Sequence, residues 1–386
     1  MKPRSTPPEE TFAAPPDRMR RAAEGTLERG RGATFNPGNR FRSETREASD
    51  DGWQPLLNEE IGASGEAEMP PLKTIVNFTR ARTIIARNDS PDIPFTQSIN
   101  PYQGCEHGCV YCYARPSHAY LDLSPGLDFE TRLFAKPDAA ALLRAELAKP
   151  GYVCDSIALG TNTDPYQPIE REHRITRQIL EVLVEHEHPF SIVTKSALVE
   201  RDLDLIAPMA AKNMARVYIS ITSLDRDTAR TLEPRAATPQ RRLQAVRTLS
   251  EAGVPVGVMV APVIPGLTDH DLEAILDAAV GRGARYAGWI MLRLPREVAP
   301  LFRDWLEAHH PLRAAHVMSL VQQVRGGRDY DAAFGSRMRG TGTFAELIEK
   351  RFELATRRLK LARDRVPLDR SRFRPPRANA AQQELF

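Results

Sequence analysis

Asn100-Pro-Tyr-Gln-Gly-Cys105-Glu-His-Gly-Cys109-Val-Tyr-Cys112-Tyr-Ala-Arg115 is the stretch around which this chain is organised. Its three cysteines stand at C-x3-C-x2-C spacing, with an aromatic, Tyr111, directly before the third, in a short loop that follows an apolar extended run. Thiols gathered at this spacing make a metal site. A closed structural zinc site takes four protein ligands, and an ordinary four-iron cluster takes four thiolates. Three thiolates in one loop leave such a cluster with one iron open to a further ligand, and an open iron implies chemistry. A zinc knuckle completed by His107 or by the distant Cys154 is the alternative for the same residues.

Outward from this loop, composition sets the bounds. A chain of 386 residues can bury one large α/β domain with extensions. The net charge of +3 is unremarkable, but Lys350 to Arg377 holds eleven Lys/Arg against three Asp/Glu, a distinctly basic segment. Of four cysteines, three are committed to the loop, which argues against a disulfide framework and for a reducing, cytoplasmic setting. No apolar run is long enough to span a bilayer, so no membrane partner is expected.

Residues 1–70 are rich in Pro, Gly, Arg and Glu and lack a sustained apolar period, and are expected to be a mostly disordered arm. Within it, Arg29-Gly-Arg-Gly-Ala-Thr-Phe-Asn-Pro-Gly-Asn-Arg40-Phe-Arg42 reads as a charged tail, as a nucleic-acid-binding arm, or as a strap laid on the core by Phe35 and Phe41. Residues 71–300 alternate short apolar runs with helical periodicity. The runs are Phe95–Ile99, Ser156–Leu159, Phe190–Val193, Val217–Ile221, Val256–Val260 and Gly288–Leu292. Helical segments between them include Ala139–Leu147, Thr176–Glu187, Asp202–Ala211, Pro239–Ala252 and Asp269–Arg282. Strands each followed by a helix imply parallel pairing through right-handed crossovers, and the natural closure is a partial (β/α)6 TIM barrel. Functional residues then belong just after each apolar run, at the carboxyl ends of the strands.

The cysteine triplet with its aromatic resembles the signature of the radical S-adenosylmethionine (radical SAM) superfamily. The resemblance implies a 4Fe–4S cluster on Cys105, Cys109 and Cys112, S-adenosylmethionine (SAM) on the open iron, and a reducing electron donor. It also implies the same partial barrel that the alternation predicts independently. SAM presents an amino group, a carboxylate, a ribose diol and an adenine. Thr161, Asn162 and Thr163 suit the amino group; Lys195 suits the carboxylate or ribose; Ser220 and Thr222 suit the ribose hydroxyls; Ile264, with Pro265 and Gly266, suits the adenine. Tyr111 completes the cofactor-binding set. Ordinary turn or cap roles compete with several of these, such as Asp164-Pro165 as a turn initiator and Asp269 as a helix N-cap.

Within the superfamily the chain is most similar to the spore photoproduct lyase-like group. Gly104 to Tyr113, Thr163-Asp164-Pro165-Tyr166 with Glu170, Val193-Thr194-Lys195, Ser220-Ile221-Thr222 and Glu233 to Arg242 carry the likeness. The counterparts of Lys195 and Ser220 contact SAM in those lyases. The chain departs from them at Thr161, which stands where the lyases place a cysteine that returns a hydrogen atom to the product radical. Thymine-dimer reversal is therefore not expected, and Cys154, ahead of the second strand, reads as a packing residue at the opposite end of the barrel.

Beyond the barrel, 301–366 reads as a helical extension, with helices at Leu301–Ala308, Leu312–Arg325 and Phe344–Arg365 and an interhelical turn at His309-His310. The Arg-rich last helix is either a solvated face or a track for phosphates near the barrel mouth. Residues 367–386 read as a disordered basic tail, and its Gln382-Gln-Glu-Leu385-Phe386 resembles peptides that bind the bacterial sliding clamp. The function expected is a radical SAM enzyme acting on DNA or RNA. The alternatives are the same chemistry on a protein or small molecule, or a non-catalytic iron–sulfur module associated with DNA.

Overall fold

The computed structural model describes residues 30–41, 72–362 and 366–376. Its strands are β1 (Ile75–Phe78), β2 (Ile85–Arg87), β3 (Gln97–Ile99), β4 (Tyr102–Gln103), β5 (Arg132–Ala135), β6 (Ile157–Leu159), β7 (Phe190–Thr194), β8 (Ala215–Ser220), β9 (Val256–Val263) and β10 (Tyr286–Met291). Six of these, β3 and β6 to β10, lie side by side in chain order and pair parallel. The crossovers carry the helices Ala139–Leu147, Ile175–Glu185, Leu203–Ala211, Pro239–Glu251 and Leu272–Val280, and Val298–His309 follows β10. This is the partial (β/α)6 barrel, with antiparallel β2 added beyond β3.

The six predicted apolar runs coincide with the six parallel strands, their ends displaced by a few residues. Parallel strands covered on both faces bury every residue, which is why they read as apolar runs rather than alternations. β8 is buried at all its positions, and Val217 and Ile219 pack with Ile192, Val258 and Leu249 between sheet and helices. Thr238 caps Pro239–Glu251 by accepting from Arg241 N, with Pro239 in the first turn. Asp269 does not cap its helix: it sits in a short 3-10 turn, its carboxylate 3.6 Å from Arg351. Asp271 instead holds the loop after β8, accepting from Ser223 Oγ at 2.6 Å and Leu224 N at 3.0 Å.

A second sheet, ordered β1-β5-β4, gives no periodic signal because its strands have two to four residues. Residues 30–41 lie on the core as a strap, with Phe35 packed among apolar side chains and Phe41 exposed against Tyr120. The rest of the 1–70 arm, and the clamp-like peptide Gln382–Phe386, lie outside the described residues. His309 ends one helix and His310 leads into the next, Pro311–Gln323. Among the described residues no helix is long and apolar enough to cross a membrane.

The C-terminal helix runs Thr343–Arg358, short of the predicted Arg365. Lys360 turns to φ 55° and Leu361 drops into the core, while Ala362 bridges Tyr286. Residues 366–376 follow the amino-terminal ends of the strands. Asn213 Nδ2 donates to the Pro367 carbonyl at 2.9 Å, Arg374 N donates to the His186 carbonyl at 2.9 Å, and Phe373 packs on Tyr152 and His188. Residues 366–376 therefore lie away from the barrel mouth. Among the described arginines of the basic segment, Arg351 pairs with Glu273, Arg358 with Asp277, Arg370 with Asp155 and Arg374 with Glu187.

Candidate active site

The cysteine loop leaves β3 at its carboxyl end and is closed by Gly108 N donating to Cys105 O (3.3 Å) and Cys112 N donating to Cys109 O (3.2 Å). Gly108 takes φ 68°, where a Cβ would also press on the Glu130 carboxylate. Arg115, fully buried, gathers the loop from beneath. Its Nε donates to Cys109 O at 2.9 Å, Nη2 to Gly108 O at 3.1 Å, and Nη1 to Pro125 O and Gly126 O, while its charge is met by Glu130.

The three thiols are free and stand close enough to oppose one another's ionisation. Burial pushes all three up, reinforced by Asp164 at Cys105 and by Glu233 at Cys109. Thiolates here need a cation in their midst, which is what iron supplies. Among the described residues no three Cys, His, Asp or Glu side chains converge as the ligands of a single ion would. Of the two fourth ligands of the zinc alternative, His107 turns its Nδ1 to Asp164 at 3.4 Å, and Cys154 lies ahead of β6, at the end of the strand opposite the cysteine loop.

The strand-end residues form two groups. In the first, Asn100 ties the loop after β6 to the start of the cysteine loop, its Oδ1 accepting from Asn162 N (2.9 Å) and Thr163 N (3.3 Å) and its Nδ2 reaching Thr161 Oγ1 at 3.3 Å. Thr163 is buried, and its hydroxyl donates to Tyr102 O at 3.0 Å. Asp164 accepts from Thr194 Oγ1 and Lys195 N, both at 2.7 Å, and so joins the exits of β6 and β7.

The second group surrounds the carbonyl of Ala261. Lys195 Nζ donates to Ser220 Oγ (3.0 Å) and lies 3.4 Å from Ala261 O and 5.8 Å from the centre of the Tyr111 ring. Ser220 Oγ donates to Ala261 O at 3.1 Å, and Thr222 Oγ1 lies between Ala261 O (3.0 Å) and Glu233 Oε1 (2.6 Å). The Tyr111 hydroxyl donates to Glu233 and stands 3.1 Å from Thr222 Oγ1. Glu233 in turn pairs with buried Arg242. Burial alone would raise the Glu233 carboxyl, but Arg242 and Lys195, with hydrogen bonds from Thr222 and Tyr111, hold it at about 2. Ile264 is fully buried in the apolar cluster that contains Val110, Tyr111 and Leu292.

The fold thus brings Lys195, Ser220 and Thr222 to one carbonyl with Tyr111 beside Thr222, sets Thr161, Asn162 and Thr163 on Asn100, and seats Ile264 on the apolar side. Asn100 and Arg115 lay within the decisive stretch without an assigned role. Glu233 had a place in the family likeness, but no local signal tells of its bond to Tyr111, which spans 122 residues.

The sequence pattern of the radical SAM superfamily matches residues 99–279 of this chain. An uncharacterized protein of Mycobacterium tuberculosis is 38% identical over 267 residues, which cover 68% of this chain and 78% of the relative. This chain belongs to the radical SAM superfamily. An uncharacterized protein of Methanocaldococcus jannaschii is 28% identical over 214 residues, 55% of this chain and 76% of its own length. Among solved structures, spore photoproduct lyase complexed with dinucleoside spore photoproduct superposes with a TM-score of 0.53 at 17% identity, covering 80% of this chain and 90% of that one. That likeness establishes the shared partial barrel. As a radical SAM enzyme the chain uses a 4Fe–4S cluster and SAM.

Proposed function

We propose that this radical SAM enzyme acts on nucleic acid. In this reading Cys105, Cys109 and Cys112 hold the cluster. Lys195 meets the SAM carboxylate or ribose, Ser220 and Thr222 the ribose, and Thr161, Asn162 and Thr163 the amino-acid end, with Tyr111 and Ile264 on the apolar side. When bound, cluster and SAM supply one-electron cleavage and hydrogen-atom abstraction, with the electron drawn from a reducing donor. The chain's own residues orient the cofactor and exclude water around it.

The observation that carries the nucleic-acid reading is a cavity of about 430 Å³ beside the cysteine loop, lined by His107 and by Arg171, Arg201, Arg235 and Arg241. These arginines come from the segments after β6, β7 and β8, Arg241 from the first turn of Pro239–Glu251, so they border the mouth of the barrel. Arg235 and Arg241 are each paired on one side, with Glu106 and Glu200, and are 37% and 45% exposed. A guanidinium oriented by a carboxylate and open to solvent suits a backbone phosphate. The fold shared with a lyase complexed with a dinucleoside spore photoproduct lends further support.

The test is binding of single-stranded DNA, duplex DNA and RNA to the reconstituted enzyme across a salt series, alongside 5′-deoxyadenosine formation with a Cys109→Ala control. Arg235→Ala and Arg241→Ala should each weaken binding and lower the salt slope by about 1. Absence of binding at low salt, or slopes unchanged by both substitutions, would remove nucleic acid as the substrate class. In the same reading the peptide Gln382–Phe386 delivers a cytoplasmic enzyme to the sliding clamp. Loss of clamp binding in full-length Leu385→Ala would support this, and equal binding would reject it.

A further inference from the structure

The buried network around Glu130 has no part in the proposed SAM cradle, yet it reaches the cysteine loop from the amino-terminal strap. Gly32 N and Ala33 N donate to the two oxygens of the Glu130 carboxylate at 3.0 and 2.8 Å. Arg31 Nη1 donates to the Glu130 carbonyl at 2.9 Å, and its Nη2 donates to Thr74 Oγ1 at 3.0 Å. The same carboxylate holds Arg115, whose other nitrogens bind the carbonyls of Gly108 and Cys109. Glu130 and Arg115 are both fully buried, so strap, carboxylate, guanidinium and cysteine loop form one continuous polar chain.

Contact is also direct. Gly32 lies so close to the loop that a Cβ there would overlap the carbonyl oxygen of Gly108 and stand 3.3 Å from Val110 N. Further along, the Thr34 hydroxyl bonds Asp304, and Arg40 pairs with Glu297 at 2.8 Å while donating to Pro116 O at 3.1 Å. Glu297 and Asp304 belong to the segment after β10, whereas Glu130 and Arg115 lie between β3 and β6. The strap therefore joins the first and last β/α units of the barrel, which no strand pairing connects among the described residues.

We propose that residues 30–41 are a clasp that sets the conformation of the cysteine loop and shields it from water, with Gly32 as its positioning residue. This rests on the assignment of Cys105, Cys109 and Cys112 as cluster ligands. Loosening the clasp removes two donors from a buried carboxylate and opens the loop carbonyls to solvent. Hydrogen bonding and solvent exposure around a cluster set its reduction potential.

The test compares full-length wild type, Gly32→Ala and Arg40→Ala after anaerobic reconstitution. Iron and sulfide content, the electron paramagnetic resonance spectrum of the reduced cluster with and without SAM, its midpoint potential and the rate of SAM cleavage are read together with far-ultraviolet circular dichroism. Gly32→Ala should alter the spectrum and potential and slow cleavage by up to about 10²-fold, as expected when reacting groups are displaced by an ångström, with secondary structure retained. Arg40→Ala loosens the strap without touching a cysteine-loop atom, and should show the same changes more weakly; it carries the test if Gly32→Ala does not fold. Wild-type spectrum, potential and cleavage in the folded variants would overturn the clasp while leaving the cluster assignment intact. Failure of wild type itself to assemble a cluster would overturn the ligand assignment and the clasp with it.

Discussion

Lys195 Nζ donates to Ser220 Oγ across 3.0 Å, joining the carboxyl ends of β7 and β8 beside the ring of Tyr111. Both oxygens that receive the ammonium, Ser220 Oγ and Ala261 O, are neutral. Its charge is thus directed into the barrel mouth without being spent on a hydrogen-bonded carboxylate there. Glu233 feels Lys195 through space but is hydrogen-bonded by Arg242, Thr222 and Tyr111.

Lys195→Met should weaken SAM binding by about tenfold to a hundredfold, the worth of a charge-assisted hydrogen bond of roughly 1.5–3 kcal/mol. Calorimetric titration of the reconstituted protein with SAM measures this. Equal affinity in wild type and variant would reduce Lys195 to a strut between two strands.

Removing one member of the Glu233–Arg242 pair leaves a buried charge without its partner. Glu233→Gln should lower unfolding stability by about 3–5 kcal/mol, read from urea denaturation. Pairing Glu233→Gln with Arg242→Met should recover part of that loss. A single variant within experimental error of wild type would mean that water already reaches the pair.

His188 makes stability depend on pH. Burial pushes it from 6.5 down to about 4, against the opposing pull of the Pro189 carbonyl, which accepts from Nδ1 at 3.0 Å. The folded chain thus holds the neutral ring more strongly than the unfolded chain does. Its contribution is present above about 6.5 and is lost as pH falls toward 4, amounting to about 3 kcal/mol for this one group. His118, also pushed to about 4 by burial, acts in the same direction. Denaturation midpoints measured between neutral pH and about pH 4.5 should fall with acidification, and His188→Gln should flatten part of that slope.

Gly160 opens the loop that carries Thr161, Asn162 and Thr163. It takes φ 87°, and a Cβ would overlap the carbonyl oxygen of Val193 on the neighbouring strand. Gly160→Ala should cost at least about 1–3 kcal/mol from the backbone conformation alone and should also weaken SAM binding by moving the loop. A thermal melt matching wild type, with SAM affinity intact, would mean that the loop relaxes freely.

The barrel was legible because parallel strands buried on both faces, such as Val256–Val263, leave apolar runs, and the crossovers between them leave helical periods. The small sheet of β1, β5 and β4 was not, since strands of two to four residues carry no period. The early end of the C-terminal helix was equally hidden. It depends on Leu361 finding a place in the core and Ala362 a partner in Tyr286, and both are distant in sequence.

At the site, the identity of the cysteines, Lys195, Ser220 and Thr222 as strand-end groups followed from local spacing, because loop spacing and strand ends are local properties. The bonds that orient them did not. Tyr111 meets Glu233, Asn100 meets Thr161 to Thr163, and Arg115 meets Glu130, each through long-range packing. The basic segment shows the same division. Composition marked its charge, but only the tertiary structure put residues 366–376 against the amino ends of the strands, because Phe373 finds an aromatic pocket and Asn213 a backbone partner there. By itself the sequence determined which chemistry this protein carries, since thiol spacing and apolar period are written residue by residue. Folding decided which charges face the mouth, because that depends on partners that only packing brings together.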